Sequence, residues 1–410
     1  MIDYSRQKIF DMQSIGSAKI TMVGAGLLGE YLGMYMAGFG IKNLKIIDGK
    51  GAGQLEQKLL KINPGMRIST RTTADEMSLG RPEVLIEATN NKNTKEYCKN
   101  YAKRNKIRLI NIASDENNAS INMENGTQED FSFYDKKQQG SFTSGIIAAI
   151  ALDETRKIIM PMQDDQKLRK RIDFSMHKPN RFNQGTEQTR DYETGLGGMA
   201  LVVGAGGIGT HLAINLARMG IGEMDIMDGD KIENHNLNRQ ILYYERIGKN
   251  KAETLAERLV GTRTRINALP HYLKHESQIR KRYDIIFSCV DNWEWRIRLS
   301  RYAKRNNTPL INGAVTTFTT KTEFSNCLEC KYGRNVETKN EKRAGCNSLE
   351  SNVVMQNAFA GALMASEAKA IAMPQRYTKL QGKEIRYNTK NSDERKIIIL
   401  GQYCTCKVKR

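Results

Sequence analysis

The chain repeats itself, and the repeat confines it to one architecture used twice. Residues 20–29 read ITMVGAGLLG and residues 200–209 read ALVVGAGGIG. In each, an apolar run of strand length meets glycines and then a stretch compatible with a helix. The echo continues in order, with YAKRNKIRLIN at 101–111 matching YAKRNNTPLIN at 302–312 and Met160-Pro161 matching Met373-Pro374. Strand, glycine turn and helix open a βαβ unit with a parallel sheet. Two tandem α/β domains follow, and 410 residues leave room for two cores.

The spacing separates the copies. The glycine runs lie 180 residues apart, as do Asp48 and Asp228, but the YAKRN blocks are offset by 201 and the Met-Pro pairs by 213. The second copy has therefore gained about 21 residues after Asp228 and about 12 after Asn312. Loops absorb insertions at small entropic cost and gather function, so the second copy is the catalytic candidate. The polar stretch between the copies places domains at 1–176 and 198–410 with a linker at 177–197; residues 170–176 read as a strand closing the first domain.

In the second copy Gly204, Gly206, Gly207 and Gly209 follow the strand-like ALVV and open a helix. Such a turn points backbone N–H groups at phosphate. The next strand ends on Asp228, where a carboxylate can bind ribose hydroxyls. Asp230, the run Asn236-Leu237-Asn238-Arg239-Gln240 and Lys251 come next, then Asp291-Asn292 at the end of DIIFSCV and Arg296. Cations and a late aspartate around a phosphate loop suit phosphoryl or adenylyl transfer, where charge builds on phosphate oxygens. A dinucleotide oxidoreductase does not need them.

This ordered set resembles the signature of the ThiF-type adenylyltransferases, the family of the ubiquitin-activating enzymes. The resemblance spans nearly all of 198–406 and, more weakly, the first half. It implies two tandem Rossmann-like domains forming a pseudo-dimer within one chain. It assigns Gly204, Gly206, Gly207, Gly209, Asp228, Asp230 and Asn292 to the nucleotide, with Asp228 on the ribose. Asn236, Arg239 and Lys251 would hold the phosphates, and Asp291 a magnesium ion. A carboxylate would then attack the α-phosphate of ATP.

The first copy lacks this equipment. Lys50 stands where Asp230 does, the asparagine-arginine-glutamine loop is absent, and Asn90-Asn91 replaces Asp291-Asn292. An amide is a poorer magnesium ligand than a carboxylate, so this half should not catalyse adenylation. Its opening Tyr4-Ser5-Arg6-Gln7 nevertheless resembles the family's N-terminal arginine motif, which reaches into a partner's ATP site. Arg6 is therefore expected to complete the second half's site, while Asn180-Arg181-Phe182 is at best a degraded counterpart.

Five of the seven cysteines lie beyond residue 320, a distribution that suits a local metal or reactive site. Cys327, Cys330, Cys404 and Cys406 offer four thiolates for tetrahedral zinc. The resemblance implies the same structural zinc knuckle, with one residue between the second pair where the family has two. Cys346, beside Lys342 and Arg343, lies where the family carries a reactive cysteine that forms a thioester or persulfide in some members. Cys289 reads as core and Cys98 as a helix surface.

The net charge of +19 is scattered along the chain and forms no stripe, so a dedicated nucleic-acid role is not favoured. Residues 1–10 lack the apolar core of a signal peptide, and no apolar run is long enough for a bilayer; a cytoplasmic location is expected. The leading expectation is adenylation of the C-terminal glycine carboxylate of a small ubiquitin-like or sulfur-carrier protein. The alternatives are a peptide precursor, a carboxylate on modified tRNA, and a nucleotide-binding scaffold without catalysis.

Overall fold

The fold is seen in a computed structural model that describes residues 2–123, 139–169, 171–182, 195–324, 327–332 and 352–401. Its first sheet contains β1 (Lys19–Val23), β2 (Asn43–Ile47), β3 (Arg67–Arg71), β4 (Val84–Glu87), β5 (Arg108–Ser114), β6 (Asn118–Met123) and β7 (Ile172–Ser175). They lie in the order β3-β2-β1-β4-β5-β6-β7, parallel through β5 and antiparallel beyond it. With them go α1 (Met12–Ser17), α2 (Leu27–Phe39), α3 (Ala52–Ile62), α4 (Glu76–Leu79), α5 (Lys92–Asn105) and α6 (Ser141–Ile159).

The second sheet repeats the plan. It contains β8 (Gly197–Val203), β9 (Ile221–Met227), β10 (Arg265–Leu269), β11 (Ile285–Ser288), β12 (Leu310–Val315), β13 (Thr319–Glu323), β14 (Lys383–Asn388) and β15 (Ile397–Gly401). The order is β10-β9-β8-β11-β12-β13-β14-β15, with the last three strands antiparallel. Its helices are α7 (Gly207–Met219), α8 (Lys251–Arg258), α9 (Trp293–Arg305), α10 (Glu329–Tyr332), α11 (Val354–Ala372) and α12 (Asp393–Lys396). The architecture is thus mixed α/β with two sheets in which parallel pairing dominates. In each, the strand order reverses beside the strand that precedes the glycine loop, which opens a crevice at the carboxyl ends of the strands.

The halves meet along α2, α6, α7 and α11. Helices α6 and α11 are buried over nearly their whole length, the charged Asp153, Glu154, Arg156 and Lys157 of α6 included. Glycines set how closely they approach. A Cβ on Gly145 would lie 3.0 Å from the Ala362 Cβ, and one on Gly361 would lie 2.6 Å from the Leu212 amide. A single apolar cluster draws side chains from both sheets.

Polar contacts cross the same junction. Lys396 Nζ donates to Asp153 Oδ2 (2.6 Å) and Glu154 Oε1 (2.8 Å). Arg181, in the stretch read as a linker, is fully buried and pairs with Glu367 on α11 at 3.2 Å. Its guanidinium is therefore committed to a structural ion pair.

Two cysteine expectations need correction. Cys98 is buried, because with Lys95, Tyr101 and Ala102 it forms the inward face of α5. Cys289 is only half-buried, since it follows the last residue of β11 at the sheet's open end. Among the described residues, no helix is long and apolar enough to cross a membrane.

Candidate functional site

Strand β8 runs into Gly204, whose φ of +99° suits glycine. A Cβ there would lie 2.7 Å from the Cys289 carbonyl oxygen, and one on Gly209 would lie 1.9 Å from the Gly204 carbonyl oxygen. Those contacts explain two of the glycines by close packing of turn, helix and neighbouring strand. Gly206 is the N-cap of α7. Among the described residues, no side chain accepts from the first-turn amides of α7, so that end of the helix dipole is available to an anion.

Asp228 follows β9 and braces the loop, its Oδ2 accepting from the Ala205 amide (2.6 Å) and its Oδ1 from the Asp230 amide (2.8 Å). Burial pushes its carboxyl above the usual range despite the nearby Lys251. Asp230 is oriented differently. It takes the Lys251 ammonium at 2.8 Å and the Tyr272 hydroxyl. Burial raises the Asp230 carboxyl, but those two donors outweigh it and leave the group below its usual range. Asn250 caps α8 and donates to the Asp228 and Asp230 carbonyls, which ties the lysine's helix to the acidic loop.

Asn236 ends a short turn in which its Oδ1 accepts from the Glu233 amide (3.0 Å). Arg239, buried two residues beyond Leu237, donates Nη1 to the His235 carbonyl (2.7 Å) and to Asn238 Oδ1 (2.8 Å). Asp291 and Asn292 are exposed at the end of β11, where Asn292 caps α9. Arg296 is not a phosphate-facing group. Its guanidinium is buried and donates to Asn312 Oδ1 (2.6 Å) and the Gly313 carbonyl (2.7 Å).

The first half contributes a segment to this place. Ser5–Gln7 form a turn whose Arg6 carbonyl accepts from the Asn352 amide (3.1 Å) of the second half. Burial, Arg239 and Arg6 together hold the His235 imidazole below its usual pKa, so Arg6 lies close enough to be felt there. The structure thus brings Gly204–Gly209, Asp228, Asp230, Asn236, Arg239, Lys251 and Asp291 to one end of the second sheet, with Arg6 beside them. Cys346, Cys404 and Cys406 lie outside the described residues.

The profile of the ThiF family matches residues 196–408, just over half of the chain. The chain belongs to the ThiF family. Over 120 residues it is 37% identical to the adenylyltransferase and sulfurtransferase MOCS3-1 of Zea mays, a match covering 28% of this chain and 26% of that protein. Over 124 residues it is 35% identical to the adenylyltransferase and sulfurtransferase uba4 of Emericella nidulans, covering 28% and 25%. The match spans about a quarter of the length of these curated relatives. A solved structure of E. coli MccB with ATP is 23% identical, with a TM-score of 0.43 over 52% of this chain and 65% of that one.

The ThiF match stops short of the first half, and the first half differs in detail. Asp48 repeats the bracing role, accepting from the amides of Ala25 (2.9 Å), Lys50 (2.9 Å) and Gly51 (2.7 Å). Its helix N-terminus, however, is already filled: the Leu28 amide donates to Gln139 Oε1 at 2.9 Å. By the offset of the Met-Pro pairs, Gln139 corresponds to Asn352, which in the second half is engaged by Arg6 and Asn357 instead. The plug was missed from sequence, although that offset was a usable signal. A second exchange involves the buried cation. Lys95 takes the place of Arg296, donating to Asn111 (2.7 Å) and the Ile112 carbonyl (2.7 Å), with Glu87 on β4 as counter-ion. In the second half the carboxylate comes from Glu323 on β13, by way of Asn312 (2.6 Å).

The Cys327 and Cys330 sulfurs lie 3.4 Å apart, too far for a disulfide between them. Among the described residues no cluster of three or more metal-ligating side chains occurs.

Proposed function

We propose that the chain uses ATP to adenylate a carboxylate, with one site per chain in a catalytic domain at 198–410. The observation that carries this reading is the convergence of Asp228, Arg239, Lys251 and Asp291 around an open α7 N-terminus. In this reading Asp228 holds the ribose, while Asn236, Arg239 and Lys251 bear on the phosphates. A carboxylate oxygen bonds to the α-phosphorus, the bond to the bridging oxygen breaks, and pyrophosphate leaves with the electron pair. Arg239 and Lys251 stabilise the charge that develops on the departing group. Asp230 keeps Lys251 aligned for it.

The donor chemistry fits magnesium: Asp291 is an exposed carboxylate at the same sheet end, and a hard cation binds one or two carboxylates plus phosphate oxygens. When bound, the ion would neutralise phosphate charge. Zinc fits the Cys327–Cys330 pair as well, since sulfurs about 2.3 Å from a tetrahedral metal stand about 3.8 Å apart. Cys404 and Cys406 would supply the other two ligands, and the metal would pin the C-terminal strands.

The domain at 1–176 acts as an inactive partner in an intramolecular pseudo-dimer, with 177–197 joining the two. Its glycine loop is stoppered by Gln139, and its Arg6 completes the neighbouring site. The substrate we favour is the C-terminal carboxylate of a small ubiquitin-like or sulfur-carrier protein. The relatives named as adenylyltransferase and sulfurtransferase support it. Cys346 is the candidate acceptor of the activated acyl group.

The test is ATP–pyrophosphate exchange with small proteins and peptides, alongside Asp291→Ala. We expect a small-protein fraction to drive exchange and the variant to lose it by about 100-fold or more. ATP binding without exchange from any fraction would favour a nucleotide-binding scaffold instead.

A further inference from the structure

Arg239 is held at two points by groups that the proposed chemistry leaves unused. The first acts on its main chain. His211, fully buried on α7 four residues beyond Gly207, places Nε2 at 2.9 Å from the Arg239 carbonyl oxygen. A carbonyl only accepts, so Nε2 carries the proton. Burial draws the imidazole's pKa down to about 4, and the ring is neutral at physiological pH. Its Nδ1 is buried and has no hydrogen-bond partner among the described residues. A leucine would fill such a place without that cost, so the hydrogen bond that the ring makes to Arg239, its single one among the described residues, is what sets His211 apart from an apolar side chain there. Tyr35, on α2 of the first half, packs edge-on against the ring at 5.2 Å.

The second point acts on the side chain. Asn238 accepts from Arg239 Nη1 and donates Nδ2 to Gln7 Oε1 at 2.9 Å. Gln7 is fully buried and donates in turn to the Phe39 carbonyl at 3.1 Å. Gly38 makes room for this contact, since a Cβ there would lie 3.1 Å from the Asn238 carbonyl oxygen.

We propose that His211 and the Gln7–Asn238 pair are positioning residues that fix the backbone and guanidinium of Arg239 for the nucleotide phosphates. The first half thereby becomes part of the second half's phosphate grip. This inference rests on the reading of Arg239 as a phosphate-binding group.

The test measures MgATP affinity by calorimetry in the full chain, for His211→Leu, His211→Gln, Gln7→Met, Arg239→Ala and the pairings of the first and third with Arg239→Ala. His211→Leu and Gln7→Met should each weaken MgATP by about tenfold. His211→Gln, which keeps a donor, should stay within about threefold of the wild type. In the Arg239→Ala background, His211→Leu and Gln7→Met should each cost less than about twofold more, because coupled residues are not additive. Losses that persist undiminished in that background would mark merely structural roles and overturn the proposal. So would wild-type affinity in both His211→Leu and Gln7→Met while Arg239→Ala binds poorly, and that result would leave the adenylation reading standing. If Arg239→Ala binds as the wild type does, both the clamp and its premise fall.

Discussion

Arg6 belongs to the first half by sequence, yet its neighbours Asn352 and His235 belong to the second. Its side chain is only half-buried, so truncating it empties no core. What it removes is a positive charge beside the proposed phosphate site. Arg6→Ala should therefore slow pyrophosphate exchange by about 100-fold and move the melting temperature by less than about 2 °C. Wild-type exchange in that variant would remove Arg6 from the site. Residues of this kind are legible in a sequence because their chemistry is carried by identity and spacing. Glycines, aspartates, an arginine and a lysine in fixed order mark the candidate site in the sequence itself. Gln7, Asn238, Gln139 and His211 did not, because a neutral side chain acquires its role from its partner. Gln7 and Asn238 are 231 residues apart. Arg296 erred in the other direction, for a charged residue near a phosphate loop can be spent on holding β12 instead.

Elements were legible where their pattern was local. The two glycine loops, the strands before them and the closing strand within 170–176 could be read from short apolar runs. The packing of α6 and α11 could not, since both are buried on every side and their apolar residues form no stripe to say which face meets which neighbour. Their register is set by single glycines. Gly361 faces the Leu212 amide on α7, and α7 begins at the glycine loop of the candidate site. Gly361→Val would push two backbones apart, at a cost of about 1–3 kcal/mol for overpacking. It should also weaken MgATP, because displacing α7 moves both Gly207 and His211. Thermal unfolding and nucleotide titration on the same variant check the two effects together. A destabilised variant with unchanged affinity would show that α7 relaxes without moving its first turn.

At the scale of the whole molecule, the proposed site needs both halves held in register, and a buried charge network joins them. Asp153 and Glu154 come from α6 of the first half, and Lys396 from α12 of the second; all three are fully buried. Burial alone would raise the Asp153 carboxyl, but Lys396, Lys157 and Arg156 overcome it and hold the group well below its usual range. The native carboxylate thus binds its proton less tightly than the unfolded one. The stability it contributes is complete above the unfolded value of about 3.9 and is lost as the pH falls below it. Lys396→Met breaks the pair and leaves charge behind, which costs about 3–5 kcal/mol. The stability gap between wild type and variant in urea unfolding should be widest above about pH 5 and should narrow as the pH falls from about 4 towards 2. A gap that is absent at pH 7 would mean the network does not hold the halves. If the gap appears, nucleotide affinity should fall with it, because Arg6 and Gln7 reach Arg239's surroundings only while the first half is docked.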